Sequence, residues 1–346
     1  MIRCVQPPRC LPISGRFAAA LLAVAFTVLG CAVPRPAPTA VSVSGPVIAR
    51  DQDFVIVRAQ SGDDLAALAE RYLGDPRNAW WIAEFNGIEQ IRSGQNVVIP
   101  LRPRNSVGVY ASGIQTVPIL CYHRFGSNRS KLTVTPAAFE AQMEYLVRSG
   151  YRVIPLSRLT SFLEGKEPLP QKTVVITIDD GYRSTYETAY PILKKFGLPA
   201  TVFLYSDFVG ASDAMSWAQM QDMVRSGLIE IQPHSKTHAN LTLNLPGESD
   251  AKYRERIRRE IDAPISAIQD RLALASISYA YPYGDVNEIV TEQLASKDVR
   301  LGVTVTPGGN AFFSYPLMLR RTMVFGNEDL DVFKSKLVTF ARTAPR

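Results

Sequence analysis

"VVITIDDGYRST", residues 174–185, decides how this chain is read. Mostly β-branched residues lead straight into two adjacent carboxylates and a glycine. A short apolar run rich in Val and Ile is a buried strand. Its end is a costly place for Asp179 and Asp180, because unpaired buried charge costs several kcal/mol. A bound cation, or a division of labour between the two carboxylates, removes the conflict. Gly181 permits a tight exit from the strand that brings both side chains to one cleft.

Working outward from this strand, apolar runs and helical patterns alternate from Pro118 onward. "PILCY" is a strand. "TPAAFEAQMEYLVRSG" is a helix, with Thr135 as its N-cap, Pro136 at its first position and Gly150 as its stop. Phe139, Met143 and Leu146 share one face of it. "ATVFL", "IEIQPH", "SISYAYPYG" and "LGVTVT" follow as further strands, separated by helical stretches. The long charged stretch near 251–273 is expected to break in two at Pro264. Repeated β-α units predict an α/β fold with a parallel sheet, closed or partly closed into a barrel.

Such barrels carry their chemistry at the C-terminal ends of the strands. Asp179 and Asp180 stand at one such end. The three histidines of the chain, His123, His234 and His238, each fall just beyond the apolar run of a predicted strand. His234 and His238 are spaced i, i+4, which suits one metal ion if the segment turns helical there. Two histidines and a strand-end carboxylate with an open position make a catalytic metal set. A surface histidine pair and a carboxylate N-cap pair are the plain alternatives.

"TIDDG", "HSKTH" and "YPYG" occur in this order and resemble the first three motifs of the polysaccharide deacetylase family, carbohydrate esterase family four. The resemblance covers about residues 117–340 and implies an irregular (β/α)7 barrel. "VPILCYHRF" resembles the branch acting on exopolysaccharides such as poly-β-1,6-N-acetylglucosamine. Carried over, the resemblance implies Asp179 as general base and Asp180, His234 and His238 as metal ligands. His123 would be the general acid, and the backbone N–H of Tyr283 would help bind the oxyanion. The ion implied is divalent, zinc first, with cobalt, nickel or iron suited to the same ligands. The implied enzyme is a polysaccharide N-deacetylase. Two departures stand out. The arginine that usually orients the base is Ala280 here, and the fourth motif has only Asp213 and Trp217 as weak substitutes.

Residues 54–101 read as a separate β-α-α-β unit. "GDDL", "FNGI" and "SGQNVVIP" resemble the LysM domain, which implies binding to N-acetylglucosamine glycans such as peptidoglycan. Trp80 and Trp81 read either as part of such a surface or as core. Before it, Arg3, Arg9 and Arg16 precede the apolar "FAAALLAVAFTVLG", a signal-peptide pattern too short to span a membrane. "VLGC" resembles a lipobox and implies lipidation of Cys31, hence a membrane-anchored lipoprotein of the cell envelope facing the periplasm or the exterior. The expected organisation is a signal peptide at 1–30, a Pro/Ala/Ser-rich tether at 31–53, the LysM-like unit at 54–101, a linker at 102–116 and the deacetylase-like domain at 117–346.

Composition agrees with an ordinary folded protein: 346 residues, 46% hydrophobic and 20% charged. Loss of the three leader arginines takes the formal charge from +6 to +3, too mild to point to nucleic acid. Cys4 and Cys10 lie in the leader, and Cys121 in "PILCY" reads as a buried, inert thiol. Two other functions stay open at this point: a glycan-binding lipoprotein with an inactive barrel, and a hydrolase of another amide C–N bond.

Overall fold

The computed structural model describes residues 45–102, 105–127 and 130–342. The leader, Cys31 and most of the tether lie outside the described residues. The N-terminal module is a three-stranded antiparallel sheet of β1 (Val47–Arg50), β2 (Phe54–Arg58) and β3 (Asn96–Pro100). Helices α1 (Leu65–Leu73) and α2 (Ala79–Asn86) connect its last two strands. Alternate residues Val55, Val57, Val97 and Ile99 turn to one face and bury against Leu68, Ala69 and Ile82. Asp64 caps α1 by accepting from the Ala67 N–H. The Asn86 amide pins α2 to β3, donating to the carbonyls of Ile82 and Val98 and accepting from the Val98 N–H. The β-α-α-β order expected for 54–101 is therefore present. The tether ends earlier than expected, since Val47–Arg50 pairs with β2 as an edge strand.

The larger part is a barrel of seven parallel strands. In chain order around it run β4 (Val117–Tyr122), β6 (Thr173–Ile178), β7 (Ala200–Leu204), β8 (Ile229–Pro233), β9 (Ser278–Ala280), β10 (Leu301–Val303) and β11 (Thr322–Met323). A short extra strand, β5 (Arg152–Ile154), pairs with the start of β6. Ladders join β8, β7, β6, β4 and β11, and a separate ladder joins β9 to β10. The barrel closes irregularly at two seams. A single bridge, Val303 to Leu319, joins β10 to the segment leading into β11. Between β8 and β9, the Gln232 side chain stands in for backbone pairing. Its Oε1 accepts from the N–H groups of Ile277 and Ser278, each at 2.9 Å, and its Nε2 donates to the Ala275 carbonyl.

Strand residues alternate between two cores. Val117, Ile119, Val175, Phe203, Ala280, Leu301, Val303 and Leu319 fill the barrel. Leu120, Ile176, Ile178, Val202 and Ile231 face outward onto Phe139, Met143, Leu193, Met220 and Met223 of the helices. Helix α3 (Pro136–Arg148) starts at Thr135, whose hydroxyl accepts from the Ala138 N–H, as the sequence predicts. Helix α4 (Asp250–Leu272) runs unbroken for 23 residues through Pro264, contrary to the break expected there. Buried Tyr253, Ile257, Ile261, Pro264 and Ile268 give it one continuous apolar face. That packing outweighs the local cost of one proline.

The linker is shorter than expected. Val109–Tyr110 and Gly113–Gln115 form a small antiparallel sheet with Phe340–Arg342 from the far end of the chain. Module and barrel belong to one compact unit, Ser44–Arg346. They meet where the Glu84 carboxylate accepts from the Gln171 N–H at 2.8 Å. Trp80 and Trp81 line a hollow at this junction with Tyr110, Pro168 and Leu169. Gln171 precedes β6, so the module sits at the N-terminal ends of the strands. No helix of the described residues is long and apolar enough to cross a membrane.

Candidate metal centre and active site

The period of two that fills the barrel also aims the site. On β6 the inward residues are Val175 and Thr177, and the next is Asp179. On β4 they are Val117, Ile119 and Cys121, and the next is His123. On β8, Gln232 is followed by His234. On the approach to β11, Leu319 is followed by Arg321. Four polar residues from four strands thus converge on one layer at the barrel's C-terminal mouth.

Asp180 would point away in this alternation. The chain turns left-handed at Asp180 (φ 73°) and Gly181 (φ 78°), which swings its carboxylate back to the same cleft. A side chain on Gly181 would also press against Leu204 Cβ at 3.2 Å. Ser235, His238 and Tyr283 share the left-handed region. Backbone strain of this kind gathers at functional sites.

Asp180 Oδ1 lies 3.6 Å from His234 Nε2 and 3.4 Å from His238 Nε2. The ligand atoms of all three lie within 4.8 Å of one another. His234 Nδ1 is 2.7 Å from the Ala280 carbonyl. A carbonyl only accepts, so Nδ1 carries the proton and Nε2 offers a lone pair to the cleft. Asp180 Oδ1 is buried with no hydrogen-bond partner. A buried, unsatisfied carboxylate oxygen facing two imidazole nitrogens is the arrangement a divalent cation would satisfy, so the residues fit a metal. Burial pushes Asp180 up to about 6, against the pull of His123. Burial pushes His234 down to about 4, against the pull of Asp179, and lowers His238 as well. Both rings are therefore neutral at pH 7, the form that binds metal.

Asp179 lives in a different environment. Its two oxygens receive Arg321 Nη1 at 2.6 Å and Nη2 at 2.7 Å, a bidentate pair with both residues buried. Arg321 is itself held by the Thr304 carbonyl at 2.8 Å and the Thr177 hydroxyl at 3.2 Å. Burial alone would raise the Asp179 carboxyl, but Arg321 and then His234 outweigh it and hold Asp179 well below the usual carboxylate range. Adjacent carboxylates thus differ in state because their neighbours differ. Across the cleft, the ligand atoms of Cys121, His123 and Asp179 lie within 4.8 Å of one another. Cys121 is buried with Sγ 3.5 Å from Asp179 Oδ2, and burial pushes its thiol well up.

Residues 166–302 match the family described as "Polysaccharide deacetylase". Over this stretch, under half of its length, the chain is similar to the polysaccharide deacetylases. YxkH of Bacillus subtilis (strain 168), named for the polysaccharide deacetylases, is 30% identical over 192 residues, 56% of this chain and 65% of its own length. The poly-β-1,6-N-acetyl-D-glucosamine N-deacetylase of Escherichia coli (strain K12) is 26% identical over 250 residues, 62% of this chain and 37% of its own length. The chain thus spans less than two thirds of the length of either curated relative. Among solved structures, IcaB from Ammonifex degensii superposes with a TM-score of 0.57 at 26% identity, covering 64% of this chain and 96% of that one.

The residues singled out from the sequence for the cleft lie at the barrel mouth, apart from Asp213 and Trp217. Asp213 lies at the rim, ion-paired with Arg124 at 2.9 Å. Trp217 opens the helix Trp217–Arg225 and packs on the main core. The exposed Tyr283 ring stands 4.9 Å from the His238 ring. Arg321 was not anticipated. It occupies the role left vacant at Ala280, reaching Asp179 from 142 positions away in sequence. The one signal is a basic residue, in "LRRTMV", two positions before the apolar pair Met323–Val324.

Proposed function

We propose that this protein is a metal-dependent hydrolase that removes N-acetyl groups from N-acetylglucosamine-containing polysaccharide. The observation that carries this reading is the Asp180–His234–His238 group beside a separately ion-paired Asp179, with His123 opposite. Asp180, His234 and His238 would hold the cation, which when bound supplies Lewis acidity toward the acetamide carbonyl. Asp179 is kept ionised by Arg321 and has lone pairs left to accept a proton from the attacking water. As the C–N bond breaks, protonated His123 delivers its proton to the leaving amine. The Tyr283 N–H is the proposed donor to the oxyanion. Water and amide become acetate and a glucosamine unit.

The activity for which the Escherichia coli relative is named supports poly-β-1,6-N-acetylglucosamine as the substrate. The "VPILCYHRF" opening supports the same branch. The LysM resemblance of the N-terminal module supports a hold on peptidoglycan, and the lipobox resemblance supports a lipid on Cys31. Acetate release by the full chain tests the reading, on β-1,6-linked N-acetylglucosamine oligomers and on acetylated peptidoglycan chains. Chelator-sensitive acetate that disappears in Asp179→Asn is the expected result. Metal-loaded protein that releases none from either polymer overturns it.

A further inference from the structure

The two metal histidines sit at either end of a five-residue loop, His234–His238, whose backbone is left-handed at Ser235 (φ 76°) and at His238 (φ 61°). Such a loop does not hold itself. On one side it hangs from the turn after β7, through Ser206 N–H to the Ser235 carbonyl at 3.2 Å and Asp207 N–H to the Lys236 carbonyl at 3.0 Å. Inside it, the His238 N–H donates to Ser235 Oγ at 2.8 Å. On the other side stands Glu260, a buried residue of α4. Its Oε2 accepts from the N–H groups of Lys236 at 3.1 Å and Thr237 at 2.9 Å. Its Oε1 accepts from the Thr237 hydroxyl at 2.8 Å.

We infer that Glu260 is a positioning residue for the metal centre: its carboxylate clamps the loop so that His234 and His238 present both Nε2 atoms to Asp180. This rests on the metal reading of those three residues. The chemistry of the clamp is specific. The two converging N–H groups can only donate and the Thr237 hydroxyl donates here, so one carboxylate serves all three, with charge-assisted bonds. Glutamine keeps the shape but removes the charge that strengthens these bonds and turns an NH2 toward the hydroxyl that now donates. Partners one shell out from metal ligands commonly set affinity by 10- to 100-fold. Glu260 touches neither ligand directly, so its effect passes through the loop.

The test is the affinity of the full chain for Zn²⁺ and Co²⁺, measured by competition with a chromophoric chelator. The set is wild type, Glu260→Gln, Thr237→Val and the exposed same-helix control Glu255→Gln. Circular dichroism checks that each variant is folded. The expected result is affinity weakened at least tenfold in Glu260→Gln, a smaller weakening in Thr237→Val, and none in Glu255→Gln. Added metal should then restore acetate release in Glu260→Gln, with KM for glycan unchanged. Folded Glu260→Gln binding metal as wild type does would overturn the clamp. Should Glu260→Gln not fold, Thr237→Val decides alone, and wild-type affinity there overturns it. Wild type that binds no metal overturns the metal reading itself, a separate outcome.

Discussion

Replacing Arg321 by methionine keeps an unbranched, mostly apolar stem, shorter than arginine, and removes the charge. Four hydrogen bonds vanish: two to Asp179, one to the Thr304 carbonyl and one to the Thr177 hydroxyl. Breaking a buried ion pair by removing one partner costs about 3–5 kcal/mol, and Asp179 is only 2% exposed. Asp179 can relieve part of this by taking up a proton, and that fixes the sign of the pH dependence. In wild type the folded Asp179 lies well below its ordinary value. Its stabilising contribution is complete above about pH 4 and is lost only in strong acid. In Arg321→Met the folded value rises above the unfolded one. The folded state then binds the extra proton, and the variant gains about 1.4 kcal/mol for each pH unit of acidification between its raised pKa and about 4. Urea unfolding of both proteins from pH 7.5 to 4.5 measures this, and their difference isolates Asp179 from groups that titrate alike in both. The acid limb of the pH–rate profile should shift upward in parallel. A variant that loses less than about 1 kcal/mol at pH 7, with an unchanged pH slope, would refute the argument.

Three further outcomes are expected. His123→Gln should lower kcat by about 10²–10⁴-fold, the range of general acid catalysis; metal affinity by chelator competition should stay as in wild type, since His123 is not among the proposed ligands. Because Asp180 is pushed up to about 6, metal binding should weaken by about tenfold per unit as pH falls below that value. Calorimetric titration at several pH values follows this, and a pH-independent affinity between 4.5 and 7 would contradict it. Gly302→Ala would place Cβ 2.3 Å from the Tyr281 hydroxyl and 2.6 Å from the Leu317 carbonyl, which now bond to each other. A loss of about 1–3 kcal/mol is expected by thermal unfolding.

Much of the site was legible because its parts are local. A strand's alternation, carried one residue past its end, aims Asp179, His123 and His234 without any knowledge of the partner strands. The spacing of His234 and His238 also needed no tertiary information, although the segment proved to be a strained loop rather than a helical turn. Arg321 was not legible because its value lies in a contact across the barrel, and the strand it introduces, Thr322–Met323, is too short to announce itself. The side-chain seam made by Gln232 leaves no pattern, since an inward glutamine reads as an interruption. Pro264 misled for the opposite reason. Its local cost is real, and the buried face of α4 overrides it. The early strand Val47–Arg50 and the linker strands pair with distant or edge partners that local composition does not reveal.

The placement of the module has a consequence for how the molecule addresses a surface. The module meets the barrel beside Gln171, before β6, and the carboxylates lie after it. The eight steps from Gln171 to Asp179, six of their residues in β6, put roughly 25 Å between the junction and the cleft at about 3.3 Å each. The module and the candidate cleft therefore stand at opposite ends of the strands. No single sugar is long enough to touch both. If the module holds one polymer as proposed, the cleft at the other end of the strands is left open to a second.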